Sequence, residues 1–176
     1  MKQFLAVSVL GKDRPDLLRE ITRAALDSGC LVKDSRMVLL GQEFGLQLLA
    51  TGKWDAIARL ETTLSRLAEH LELAITTRRS GERSGRHDRI PYAIDAIAAD
   101  QAGIIHHLAD FFITREIEIS ELSTRAYPAP QTGAPLFAIQ MVVAIPVNMA
   151  IADLREDFMD LCDRINLDAI IEPLKN

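Results

Sequence analysis

With 176 residues, 48% of them hydrophobic and 26% charged, the chain has the composition of a globular protein of one or two domains. Its net charge of −5 argues against the strongly basic surface of a nucleic-acid binder, and no apolar run approaches the ~20 residues needed to cross a bilayer. The charge is unevenly spread: residues 1–89 hold 15 Lys/Arg against 12 Asp/Glu, a net of +3, whereas residues 90–176 hold 5 against 13, a net of −8.

In chain order, residues 4–10 predict a strand with Leu5, Val7 and Val9 on one face. The opposite face, Phe4, Ala6, Ser8 and Leu10, is also largely apolar, which predicts cover on both sides. The stretch lacks a small-residue cleavage site and runs into Lys12-Asp13-Arg14, so it reads as a strand rather than a signal peptide and implies a cytoplasmic chain. After Gly11 a charged turn leads into a helix from about Pro15, whose missing N–H costs little in a first turn. Asp13 is placed to cap that helix and Gly29 to end it. The amides and dipole at such a junction suit a small anion, although the same pattern also describes a plain connection. Residues 30–40 predict a long strand, 41–43 a tight turn and 44–51 its hairpin partner. Residues 53–71 form an amphipathic helix pattern and 73–77 a short closing strand. Residues 78–89, with five arginines and two glycines, predict a solvated linker.

The order then repeats. Asp13 aligns with Asp100, Leu17-Leu18 with Ile104-Ile105, Ile21 with Leu108 and Ala24-Ala25 with Phe111-Phe112. Ile57, Leu60, Leu64, Leu67 and Leu71 match Ile151, Leu154, Phe158, Leu161 and Ile165, with the extra residues in a Pro/Gly-rich loop at 127–135. The second copy predicts a strand from Ile90, a helix from about Ala102, strands at 117–127 and 136–145, a helix capped by Asn148, and a strand at 167–171. Each half is therefore β-α-β-β-α-β. The expected fold is α+β: two ferredoxin-like domains, residues 1–77 and 90–176, joined by linker 78–89. Each is an antiparallel four-stranded sheet with helices on one face. Leu17, Ile21, Leu60, Leu64, Ile104, Leu108, Leu154 and Leu161 are the expected core. Cys30 and Cys162 fall in apolar patterns and read as small core residues. Units this small gain from a partner surface, which points to a homo-oligomer.

Catalytic signatures are missing from the sequence. His106 and His107 are adjacent on a helix and diverge, so they do not make a metal pair. There is no nucleophile–base pair, phosphate-binding glycine loop or zinc spacing, so a non-enzyme without metal or cofactor is expected. The aromatic strand motif of an RNA-binding ferredoxin-like domain is also missing, and Trp54, which opens a helix, reads as a packing anchor. A free amino acid, in contrast, needs N–H donors for its carboxylate and an acceptor for its ammonium group. The two turns, Asp13, Arg14, Asp16 and Leu17 and then Asp100, Gln101, Gly103 and Ile104, can supply the donors. Asp34, beside Ser35, and Glu121 occupy aligned positions on the second strands and can supply the acceptor; solvated strand-end acids are the alternative.

Gly11-Lys12-Asp13-Arg14-Pro15-Asp16-Leu17-Leu18 at the first strand–helix turn of a β-α-β-β-α-β unit resembles the ACT domain, a small amino-acid-sensing module. The pair of units, with Lys33-Asp34-Ser35-Arg36-Met37, Leu40-Gly41-Gln42-Glu43-Phe44 and Thr51-Gly52-Lys53-Trp54-Asp55-Ala56-Ile57, is similar to the tandem ACT regulators of the glycine cleavage system. That resemblance implies a non-catalytic regulator that binds a small amino acid, glycine first among them. Its site would lie where a strand–helix turn meets the second strand of a neighbouring ACT unit. It further implies action through a DNA-binding activator protein; the sequence shows no helix-turn-helix, so direct specific DNA binding is not expected. A general amino-acid-binding ACT protein controlling another protein or enzyme is the alternative. One departure stands out. ACT domains commonly have glycine just after the proline, but that position is Asp16 in the first copy and Gly103, following Ala102, in the second. The two turns are therefore not expected to bind alike.

Overall fold

The structure, a computed structural model, describes residues 2–82, 88–99 and 102–174. The chain separates into two compact units, residues 1–84 and 85–176. The first comprises β1 (Gln3–Lys12), α1 (Leu17–Asp27), β2 (Leu31–Leu40), β3 (Glu43–Gly52), α2 (Trp54–Leu71) and β4 (Ala74–Ser80). The second comprises β5 (Arg89–Ala99), α3 (Ile104–Ile113), β6 (Glu118–Pro128), β7 (Pro135–Pro146), α4 (Ile151–Arg164) and β8 (Leu167–Pro173). The strand orders β2-β3-β1-β4 and β6-β7-β5-β8 are the same arrangement, with every adjacent pair antiparallel.

Period-two alternation on the strands and helical spacing on α1 to α4 build each core. Leu5, Val7 and Val9 of β1 meet Leu17 and Ile21 of α1 and Leu60 and Leu64 of α2. Ile94, Ala96 and Ala98 of β5 likewise meet Ile104, Leu108, Leu154 and Leu161. All eight expected core residues are buried. The second core is aromatic where the first is not. Phe111, Phe112 and Phe158 pack with ring centroids 5.1, 5.6 and 5.7 Å apart, at positions aligned with Ala24, Ala25 and Leu64. Cys30 and Cys162 are both buried and free.

Gly29 ends α1 as expected. At φ +79 it turns the chain left-handed, while its N–H donates to the Leu26 carbonyl at 2.9 Å and the Cys30 N–H to the Ala25 carbonyl at 2.9 Å. The end of α3 repeats both bonds, Glu116 N–H to Ile113 and Ile117 N–H to Phe112, with Glu116 at φ 57 in the glycine's place.

Several local expectations are corrected. Helix α1 begins at Leu17, not Pro15, and Asp16 occupies its N-cap. Asp13 does not cap it; its own N–H is tied to the Gln42 carbonyl at 2.9 Å, which pins the turn to the β2–β3 hairpin. Helix α4 begins at Ile151 with Ala150 as N-cap, three residues into the segment that Asn148 was expected to open at its position. The 78–89 linker is shorter than expected, because β4 runs on to Ser80 beside β1 and β5 already begins at Arg89. Its arginines are partly structural. Arg79 forks Glu61 at 3.2 and 2.8 Å, and Arg89 donates to the carbonyls of Glu116 and Ala144 at 2.7 and 3.2 Å. Trp54 is 65% exposed rather than a packing anchor, with the Arg79 guanidinium 5.9 Å from its ring. The apolar character of Phe4, Ala6 and Leu10 does not bring cover on both faces. The buried residues of α1 and α2 belong to the core on the Leu5–Val7–Val9 side, and Ser8 and Leu10 remain exposed.

Candidate ligand-binding turns

The first turn joins β1, one of the two central strands of the sheet, to α1. Asp16 takes a helical conformation, φ −90 and ψ −13, and no side chain caps the helix. The Leu17 N–H donates to the Arg14 carbonyl at 3.3 Å, and the first intrahelical bond runs from the Glu20 N–H to the Asp16 carbonyl at 3.0 Å. The amides of Leu18 and Arg19 are thus left among the unpaired donors of a helix start, on its positive end. Beside them Arg14 Nη2 donates to Asp16 Oδ2 at 2.9 Å. Burial pushes the Asp16 carboxyl up, but the Arg14 hydrogen bond and the charges of Arg14 and Arg19 outweigh it and hold it below its ordinary value. Asp16 is therefore ionised at neutral pH and engaged with Arg14. Leu17 is fully buried, so only its main chain can face a ligand.

The second turn is built differently. Gly103 is the N-cap of α3 at φ 90 and ψ −1, a left-handed conformation that a side chain disfavours. The His107 N–H donates to its carbonyl at 3.0 Å, and the His107 Nε2 lies 3.7 Å from where a Cβ on Gly103 would stand. Ile104, like Leu17, is a core residue. Asp100 and Gln101 lie outside the described residues. Aligned positions thus hold opposite backbone conformations, which gives the Asp16–Gly103 departure a structural form.

Asp34 and Glu121 share an unanticipated feature. Each follows a β-bulge at the same place, between Val32 and Asp34 in β2 and between Ile119 and Glu121 in β6. A bulge re-aims the side chains around it. Asp34 accepts from Arg36 Nη1 at 2.6 Å and the same nitrogen donates to the Ser35 carbonyl at 2.9 Å, while Ser120 Oγ donates to the Val142 carbonyl at 3.0 Å. Asp34 pairs across the sheet with Leu49, whereas the first turn is tied to Gln42; at about 3.3 Å per residue that is about 20 Å within one unit. Glu121, opposite Val142, is as far from the end of β5, where Ala99 pairs with Leu136. The structure therefore gathers Asp13, Arg14, Asp16 and Leu17 at one turn and Gly103 and Ile104 at the other. It keeps Asp34, Ser35 and Glu121 away from the turn of their own unit.

Sequence reasoning missed a broad concavity. It lies on the sheet face of the second unit turned away from α3 and α4, has a volume of about 890 Å³, and is lined by Asp95, Ile97, Arg125, Tyr127, Gln140 and Asp168 among others. The alternation along β5 was legible, but the order that sets β8 and β6 on either side of β5 and β7 was not. Among the described residues there is no group of three or more His, Cys, Asp or Glu able to hold a metal, and no helix is long and apolar enough to cross a membrane.

A profile of the ACT domain matches residues 3–78. The glycine cleavage system transcriptional repressors of Escherichia coli (strain K12) and Shigella flexneri are each 30% identical over 165 residues, covering 94% of this chain and 87% of theirs. A crystal structure provisionally assigned as a glycine cleavage system transcriptional repressor superposes with a TM-score of 0.75 at 26% identity, covering 100% of this chain and 99% of that one. An unknown protein from Galdieria sulphuraria has the same fold, with a TM-score of 0.80 at 24% identity over 99% of this chain and 100% of its own. Two β-α-β-β-α-β units in one topology, an ACT match over the first and identity running through both place the chain in the family of the tandem-ACT glycine cleavage system transcriptional repressors.

Proposed function

We propose that this chain is a non-catalytic cytoplasmic regulator of glycine cleavage. It senses a small amino acid, glycine first among the candidates, and acts by binding a DNA-bound activator protein. The observation that carries the reading is 30% identity to the repressor over 94% of the chain, on a fold made of two ACT units. The helices favour a partner over direct operator binding. Each of the four carries a buried apolar face in the core of its own unit, so among the described residues none is spare for a major groove. The −8 charge of residues 90–176 repels phosphate and suits a basic protein surface.

The ligand site needs two units. Within one unit the turn and the bulged strand lie apart, but antiparallel pairing of two edge strands reverses the ends and sets the turn of one beside the bulge of the other. Strand β2 suits that role: it is exposed along its whole length, with Val32, Met37 and Leu39 at 41, 50 and 53%. A carboxylate would take the first-turn amides and Arg14 at one site, or the glycine-started turn of α3 at the other. The ammonium group would take Asp34, Ser35 or Glu121. Asp13, Asp100 and Gln101 flank these turns. Edge pairing makes the protein a homo-oligomer. Thermal unfolding with added amino acids tests the ligand part. Glycine at a hundredfold excess over its dissociation constant should stabilise the fold by about 2.7 kcal/mol. An unchanged melting temperature with millimolar glycine, serine and alanine would remove the sensing function.

A further inference from the structure

The helix-free face of the first sheet carries apolar side chains, Phe4, Ala6 and Leu10 of β1 and Leu49 of β3, that no helix of its unit covers. Three cations border them. Arg78 of β4 pairs across from Ala6, Arg36 of β2 across from Gln47 and Lys12 of β1 across from Glu43; with Asp34 and Glu43 the face nets +1. The corresponding face of the second sheet has the opposite sign. Asp95 on β5, Asp168 and Glu172 on β8 and Glu118 and Glu121 on β6 share it with Arg89 of β5 and Arg125 of β6, a net of −3. Between those carboxylates Ile97 and Ile170 are 43 and 55% exposed, on the floor of the 890 Å³ trough.

We propose that these two faces are made for one another across copies: the first-unit face of one chain stacks on the second-unit face of a second copy, and a twofold repeats the contact. Apolar centres with rims of opposite charge are the usual anatomy of a specific interface. The twofold also supplies enough area. Four strands about 4.8 Å apart and seven residues at about 3.3 Å give a face of about 19 by 23 Å, so four faces bury on the order of 1,700 Å², within the range of stable dimers. Like faces would set −3 against −3; the charge pattern therefore selects the unlike pairing. This identifies one surface behind the homo-oligomer proposed above and is independent of any amino-acid ligand.

Analytical ultracentrifugation of the full chain, without amino acid or activator, tests it. The expected wild-type species is heavier than the 19.5 kDa chain and dissociates as salt is raised. Asp95→Lys with Asp168→Lys should raise the dissociation constant about a hundredfold, with circular dichroism and melting temperature reporting that the variant is folded. Mixing that variant with a chain carrying Arg36→Glu and Arg78→Glu should restore association to within about tenfold of wild type. A wild-type mass of one chain up to about 100 µM overturns the proposal. So does a folded double-lysine variant that associates as wild type does, or a reciprocal mixture that stays apart. The ligand-sensing reading fails separately, in the melting experiment.

Discussion

Glu116 carries a strain that its counterpart Gly29 does not. Both close a helix with the same pair of backbone bonds, but Glu116 holds φ 57 with a side chain attached. Glu116→Gly should raise stability by about 1 kcal/mol, and Gly29→Ala should lower it by about as much; urea unfolding midpoints check both. Gly29 was legible because glycine after a helix is a stop signal, whereas nothing in the letters around Glu116 announces a left-handed residue. Asp16 and Gly103 make the related point. Their alignment was legible, but not that one would be right-handed and the other left-handed. Cys162 gives a pH prediction. Burial, with the charges of Asp163 and Asp168 adding to it, pushes its thiol up to about 11 from an ordinary value of 9.0. The folded state favours the neutral thiol, so its contribution is complete below pH 9 and is lost as pH rises towards 11. At about 1.4 kcal/mol per pH unit that is on the order of 3 kcal/mol. Native protein at pH 8 should leave Cys30 and Cys162 unlabelled by a thiol reagent, and denatured protein should label both; rapid labelling of native Cys162 would contradict its burial.

At the scale of elements, apolar spacing alone located all four helices and their buried faces, because period 3.6 on a helix and period 2 on a strand leave little choice about which side faces the core. Phe112 is fully buried against Phe111 and Phe158, so Phe112→Ala should cost about 3–5 kcal/mol, and Leu108→Ala about 2–5, measured by denaturant unfolding. Boundaries were less legible. Arg78 and Arg79 look like linker residues by composition, yet pairing with Ala6 and Leu5 of β1 keeps them in the sheet. The two bulges were invisible because a single extra residue leaves no compositional trace. The turns carry the ligand prediction for this scale. Arg14→Ala should weaken glycine-dependent stabilisation about tenfold in apparent affinity while changing the fold itself by under about 1 kcal/mol, since its pair with Asp16 is exposed. Gly103→Ala should lower melting and ligand response together, because it forces a side chain into the left-handed conformation and towards His107. Isothermal titration of both variants separates the two turns, and an Arg14→Ala variant with unaltered glycine affinity would assign binding to the second turn.

For the whole molecule, the duplication set the architecture, and the charge division is the ground on which the proposed protein partner and the proposed pairing of copies rest. The repeat was legible from matched spacings over both halves, and the +3 and −8 halves from counting. Which surfaces those charges form was not, since it depends on strand order: Asp168 and Asp95 meet only because β8 pairs with β5. The central claim is that repression runs through a protein partner and not through DNA contacts of this chain. An electrophoretic mobility shift with the operator of the glycine cleavage genes tests it most directly, run with this protein alone, with the activator alone, and with both, in the presence and absence of glycine. The account predicts no specific shift by this protein alone and an altered activator–operator complex when both are present, with glycine changing the concentration required. A specific shift by this protein alone, retained when Arg83 and Arg86 are replaced by alanine, would contradict it.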